Sequence, residues 1–107
     1  MKNEFQRIWR DAIELRDQVE ATKVQFILTE LDVALTFCHR AASTNDDENA
    51  RRNTRNARKA YDCATHFLAS AELTPKIRKD IEHKVKRLKS LLRSLGEADI
   101  RDFKGAK

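Results

Sequence analysis

Four side chains of the types that bind zinc occur in this chain, Cys38 beside His39 and Cys63 close to His66. Thiolates and imidazoles are preferred zinc ligands, and a structural site brings about four of them to one ion. If the two segments belong to antiparallel helices, Cys63 lies opposite residue 26, which is about 18 Å from Cys38 along the helix. The ligands therefore do not converge, and we predict no metal site.

Asp62 and His66 lie one helical turn apart, a spacing that suits a carboxylate–imidazole pair in acid–base chemistry. No Ser or Cys is placed for such a pair to activate, because Cys63 points to another side of the helix. Glycine occurs only at positions 96 and 105, too far apart for a phosphate-binding Gly-rich loop. We therefore expect an ordinary surface Asp–His pair, no catalytic residues and no cofactor.

The elements that carry these side chains are predicted to be helices. The chain has 107 residues with only 2 Gly and 1 Pro, and its apolar residues recur at helical spacing. These features predict one all-α domain over residues 1–107. No stretch of about 18 apolar residues could span a membrane, and the charged start does not resemble a secretory signal. Two cysteines without CxxC spacing are typical of reduced thiols, so we expect a cytoplasmic protein.

Local signals predict an antiparallel three-helix bundle with a long first helix. Thr44 or Asn45 can cap the second helix. Thr74 and Pro75 are typical of a helix start, and Gly96 is typical of a helix end. The predicted helices cover about residues 3–42, 45–71 and 74–95, followed by a flexible C-terminal tail over residues 96–107.

Apolar positions on the three helices form matching layers when neighbouring helices are antiparallel. Small residues on the second helix would let the other two approach closely. The predicted layers are Leu35, Thr54 and Leu92; Leu31, Ala57 and Leu88; Ile27, Tyr61 and Val85; and Val24, Ala64 and Ile81.

The first helix has a second apolar stripe, about 100° away from the one that faces this core. Much of it precedes residue 18, beyond the reach of the second helix. We predict self-association through this stripe, in a homodimer with antiparallel long helices. The alternative is a four-helix variant, in which helix 1 breaks near residues 20–23 and residues 3–20 fold back. The residues of the stripe are Phe5, Ile8, Trp9, Ala12, Leu15, Val19, Phe26, Val33 and Phe37.

Two basic segments could meet an anionic partner. In the segment NARRNTRNARKAY, residues 49–61, we expect nearby carboxylates to neutralise every basic side chain except Arg55: Asp47 and Glu48, Asp62, and Glu30 across the hairpin. Residues 73–107 hold 11 basic and 5 acidic groups, a net of +6. The possible anion-binding residues, on the outward side of the third helix, are Lys76, Lys79, His83, Lys86, Arg87 and Arg93.

The segments ARKAYDCATHFL and IRKDIEHKVKRLKSLL together resemble the last two helices of MIT and TPR-like modules, which are helical hairpins that bind peptides or helices. The likeness covers residues 57–95. Its positions are Ala60, Tyr61, Ala64, Phe67, Leu68, Ile77, Lys84 and Leu88. The resemblance implies a binding module rather than an enzyme.

These observations predict a non-catalytic helical module for protein–protein interaction or scaffolding, self-associating through helix 1. We expect a homodimer, a further protein partner, at most weak nucleic-acid binding and no membrane contact. The alternative is a nucleic-acid-binding protein without sequence specificity, which would use the basic outer face of helix 3.

Overall fold

Three helices account for most of the chain in the computed structural model, which describes residues 2–101. They are α1 (Lys2–Ser43), α2 (Asp47–Leu68) and α3 (Pro75–Ser94). No strand occurs among these residues. The prediction of an all-α, three-helix bundle with a long first helix is confirmed, and the helix ends agree with the predicted ones to within three residues.

The start of α2 is determined by Asp46. Its carboxylate accepts hydrogen bonds from the backbone N–H groups of Glu48 (2.9 Å) and Asn49 (3.4 Å). Asp46 is therefore the N-cap, and the expectation that Thr44 or Asn45 would cap was wrong by one or two residues. Thr44 instead accepts a hydrogen bond from the Asp46 N–H, which stabilises the turn before the helix.

The ends of α3 follow their sequence signals. The Thr74 hydroxyl accepts from the Ile77 N–H at 3.3 Å, and Pro75 occupies the first helical position. Gly96 has a φ of +93° after the last turn, and the N–H of Glu97 returns to the carbonyl of Leu92 at 3.0 Å. This is the glycine-terminated helix end that the sequence predicts.

The core lies where all three helices run side by side. Ile27, Tyr61 and Leu88 are completely buried, and alanines of α2 keep the helix axes close. The members of two predicted layers, with Leu31 and with Ile27, are all buried. In the outer two layers Val24, Leu35 and Thr54 are only half-buried, because fewer side chains cover the ends of a short bundle.

Helix α1 continues without interruption through residues 20–23, so the four-helix alternative is wrong. The α2–α3 turn packs on this part of α1. Lys23 donates to Glu20 at 3.3 Å and to the carbonyl of Ser70 at 3.4 Å, while Glu20 accepts from the Glu72 N–H at 3.3 Å. These bonds hold the chain in a helical conformation at the position where a turn would be needed.

Beyond this support, residues 3–19 of α1 are exposed on every side. We call this segment the overhang. The molecule is 68 Å long and only about 23 Å and 20 Å across. Within the described residues, no helix combines the length and hydrophobicity needed to cross a membrane.

The segment after α3 returns along α2. Arg58 donates to the carbonyls of Ala98 (2.8 Å) and Asp99 (3.0 Å), and the Tyr61 hydroxyl donates to the carbonyl of Arg101. Ile100 packs against the core. These contacts differ from the flexible tail predicted from residue 96; the rest of that prediction, residues 102–107, lies outside the described residues.

Candidate interaction surfaces

The overhang carries the largest exposed apolar side chains of the described chain. Phe5 is 69%, Trp9 63% and Leu15 62% exposed. Ile8 and Val19 are also more than half exposed, and Ala12 lies open between them. Soluble helices rarely leave so many large apolar groups in water without a partner.

The apolar surface continues from the overhang onto the bundle at Phe26. Its ring meets Phe67 of α2 edge to face, with centroids 5.2 Å apart, and both side chains remain more than a third exposed. Next to Phe26 lies a shallow depression of about 420 Å³ with small side chains, including Ala21 and Thr22, at its floor. The surface is therefore widened by α2 at this point.

Val33 and Phe37, the last two predicted stripe residues, are placed differently. Both are half-buried and pack against the core of their own chain. The guanidinium of Arg40 also lies 5.9 Å from the centroid of the Phe37 ring. The freely exposed stripe therefore extends from Phe5 to Phe26.

One residue of the exposed surface was missed in the sequence. Ile13 is 53% exposed. It lies one turn after Trp9, in line with the face that α1 turns to its own core further along. The signal was present, because Ile13 and Trp9 continue the core face beyond the end of α2. The overhang is consequently apolar over nearly half of its circumference.

The side chains considered for acid–base chemistry do not pair. Both carboxylate oxygens of Asp62 accept from Nε of Arg58 at 3.1 Å, whereas the imidazole of His66 lies against the ring of Phe67. The expected Asp62–His66 surface pair is thus replaced by an Arg58–Asp62 ion pair. This leaves His66 without the carboxylate that would orient it for proton transfer.

The two cysteines are free thiols, Cys38 buried and Cys63 half-buried. Burial raises the pKa of both, and the carboxylate of Glu30 raises that of Cys63 further. A raised pKa keeps a thiol protonated and unreactive at neutral pH. Among residues 2–101, no three His, Cys, Asp or Glu side chains are close enough to hold one metal ion.

The predicted anion-binding residues of α3 are all exposed, from Lys76 to Arg93. Lys84, on another side of this helix, forms an ion pair with Asp32 of α1. No carboxylate of the described residues lies within ion-pair distance of the six predicted side chains. They form one solvated cationic stripe along the helix.

The basic segment of α2 is not neutralised as expected. Arg58 has its predicted partner Asp62, and Arg52 donates to Asn49. Arg51, Arg55 and Lys59 make no ion pair with any described residue, so the expected pairs with Asp47, Glu48 and Glu30 do not form. Asp47 and Glu48 occupy the first turn of α2, where carboxylates stabilise the helix dipole.

Comparison of this chain with protein-family models, with curated proteins and with solved structures finds no match.

Proposed function

We propose that this protein is a non-catalytic scaffolding module that self-associates through the overhang of α1. The observation that carries the proposal is the exposure of residues 3–19, a segment that remains helical although nothing in its own chain covers its apolar residues. The likeness of residues 57–95 to MIT and TPR-like hairpins supports a binding role. The free, protonated thiols of Cys38 and Cys63 support a reducing, cytoplasmic setting.

The size of the surface is sufficient for a dimer. Six large apolar side chains of the overhang are each more than half exposed: Phe5, Ile8, Trp9, Ile13, Leu15 and Val19. Together they leave on the order of 700 Å² of mostly apolar area, close to the ~800 Å² per partner of a standard interface. A second copy of this chain offers the same surface and satisfies both with one two-fold contact.

The heptad spacing of the stripe favours a particular antiparallel register. Layers form when Ala12 packs beside the partner's Leu15 and Ile8 beside the partner's Val19. Phe5 then lies opposite the partner's Thr22, at the depression beside Phe26. The depression provides room for an aromatic ring next to the exposed Phe26–Phe67 pair.

Flanking charges agree with this register. Asp11 of one copy would face the partner's Gln18, and Trp9 would face the partner's Arg16, where a guanidinium can stack on an aromatic ring. Sliding the helices by one heptad to lengthen the overlap would instead bring the two Arg16 side chains together. Like charges directly opposed in an interface are destabilising.

Analytical ultracentrifugation tests the proposal. At micromolar concentration we expect about twice the chain mass of 12.4 kDa, and we expect the double substitution Val19→Glu with Phe26→Glu to produce helical monomers. The matched control is Arg7→Gln with Arg10→Gln, which makes the same change in net charge on the polar side of the overhang and should remain dimeric. A monomeric wild-type protein at about 100 μM would overturn the proposal, since this surface predicts tighter association.

A second candidate function rests on the cationic stripe of α3. Six exposed basic residues without ion pairs among the described residues can contact phosphates, so weak binding of nucleic acid without sequence specificity is the alternative. We expect such binding only at low salt. Submicromolar binding of RNA or DNA at about 150 mM salt, abolished by Lys79→Glu with Lys86→Glu, would make this function the primary one.

A further inference from the structure

An open cleft of about 530 Å³ lies at the end of the bundle opposite the overhang, between the first half of α2 and the end of α3. Arg51, Arg55 and Lys59 line it at intervals of one helical turn. Ala50, Thr54 and Leu95 contribute a largely apolar floor, because the Thr54 hydroxyl is already bonded to the Ala50 carbonyl at 2.8 Å. The cleft thus combines a row of cations with a patch that can accept an apolar side chain.

The fourth cation of the cleft has a different role. Arg58 donates to Asp62, to Glu97 at 3.2 Å, and to the carbonyls of Ala98 and Asp99. Its donors are used within the chain, and it forms a fixed wall. Arg51, Arg55 and Lys59 have no such partners among the described residues, so their charges are available to a ligand.

The described C-terminal segment does not fill this cleft. Arg58 contacts residues 97–99, and Tyr61, further along α2, contacts Arg101. The segment therefore runs along α2 away from Arg51 and Arg55. The occupant must come from another molecule.

We propose that the cleft binds an acidic peptide segment of a partner protein, with one apolar side chain of that segment seated against Leu95. Cations one turn apart on α2 are about 6 Å apart along the helix axis, the same rise that separates carboxylates at i and i+4 of a partner helix. Each of the three cations can then meet one carboxylate, and the apolar floor adds a contact that charge alone does not provide.

A nucleic acid fits this cleft less well than an acidic peptide. No aromatic side chain lines the cleft, so bases have no ring to stack on. The carboxylate of Glu97 forms part of the wall and would lie near a phosphate backbone. The apolar floor has no counterpart on a phosphate–sugar chain.

The cleft lies far from the surface proposed for self-association. The start of α2 adjoins the end of α1, roughly 30 Å along α1 from the overhang. Partner binding at the cleft therefore does not require the dimer, and the two can be tested separately.

Fluorescence anisotropy with a labelled synthetic peptide tests the proposal. The probe is an alanine-based helical peptide of about 15 residues, with glutamates at i, i+4 and i+8 and one leucine beside them; its control has glutamines in place of the glutamates. At about 150 mM salt we expect the acidic peptide to bind at least roughly tenfold tighter than the control peptide.

Two triple variants with the same loss of charge locate the binding. Arg51→Gln with Arg55→Gln and Lys59→Gln should weaken binding about tenfold or more, whereas Lys79→Gln with Lys86→Gln and Arg93→Gln on α3 should change it less than about twofold. All six positions are exposed, and circular dichroism of each variant verifies that it is folded. The Val19→Glu, Phe26→Glu protein should bind the probe as the wild type does.

Three results would overturn the proposal. One is equal binding of the acidic and control peptides, and another is equal weakening in both triple variants, which would indicate an effect of net charge alone. The third is tighter binding of a single-stranded oligonucleotide with the same number of charges, which would assign the cleft to nucleic acid. Loss of probe binding only in the monomeric double variant would also contradict a cleft that works without the dimer.

Discussion

Arg58 is the residue through which most of the C-terminal segment is held to the bundle. Its guanidinium binds the carboxylates of Asp62 and Glu97 and two backbone carbonyls, although its position in a basic run would suggest a solvated side chain. The partially buried geometry makes these charge-assisted bonds stronger than ordinary surface pairs. Arg55, less than one turn earlier, has none of these partners and provides a matched comparison.

We expect Arg58→Ala to lower the free energy of unfolding by about 1–3 kcal/mol, because several hydrogen bonds to a charged group are lost together. Arg55→Ala should change it by less than about 0.5 kcal/mol. Urea unfolding followed by circular dichroism measures both. Equal effects of the two substitutions would mean that the C-terminal segment contributes nothing to stability.

Tyr61 makes stability dependent on alkaline pH. Burial, with a contribution from the carboxylate of Asp62, raises its pKa to about 12 from an ordinary value of 10.0. The unfolded chain therefore loses this proton at lower pH than the folded one. The stabilising contribution is complete below pH 10 and is lost as the pH rises toward 12.

The comparison with Tyr61→Phe isolates this effect from other groups that titrate at high pH. Below pH 10 the variant should be the less stable protein, because it lacks the hydrogen bond to the Arg101 carbonyl. The stability difference should then shrink between pH 10 and pH 12. Urea unfolding at several pH values tests this, and a constant difference across the range would contradict the prediction.

At the scale of elements, α1 combines two segments with different support. Its second half packs its core face on α2 and α3, with Ile27 and Leu31 completely buried. Its first half makes few contacts with its own chain, the most N-terminal ion pair being that of Arg16 with Glu72 at 3.2 Å. The helix continues into solvent because no Gly or Pro interrupts it and because the α2–α3 turn supports the junction.

Removal of residues 1–15 should therefore separate folding from association. We expect the shortened protein to remain a cooperatively folded three-helix bundle, since no core residue is removed. Its unfolding midpoint should not depend on protein concentration, whereas that of the full chain should rise with concentration, as for any dimer. Loss of cooperative unfolding would show that the overhang belongs to the folding unit.

At the scale of the whole molecule, the proposed dimer is an elongated rod with a basic cleft near each end. The overhangs form its centre, and each bundle projects outward along its own α1. Two clefts on one rigid body would engage a multivalent acidic partner more tightly than one cleft alone. This arrangement is what would make the protein a scaffold rather than a simple adaptor.

Small-angle X-ray scattering should distinguish the registers of this dimer. With Ala12 beside the partner's Leu15, the rod should be about 90 Å long, whereas the longer overlap by one heptad gives about 80 Å. A folded monomer would retain the 68 Å of the single chain. A maximum dimension near 70 Å with the mass of a dimer would indicate side-by-side bundles and contradict the proposed register.

The sequence by itself determined the helical class, the continuity of α1, the ends of α3 and most of the core. These features depend on interactions over a few residues, such as the Thr74 cap, the glycine at position 96 and apolar residues spaced by a turn. Such local preferences act wherever the segment lies. The exposed overhang was also predictable, since counting residues along the hairpin shows that α2 is too short to cover it.

Only the tertiary structure decided which partner each polar side chain has and how far the apolar stripe is covered. Asp62 is within one turn of both Arg58 and His66, and the bidentate guanidinium contact prevails. Phe37 shares a heptad stripe with exposed residues, yet it packs against the core. In both cases several outcomes satisfy the local pattern, and the choice depends on which face of a helix a neighbouring element covers.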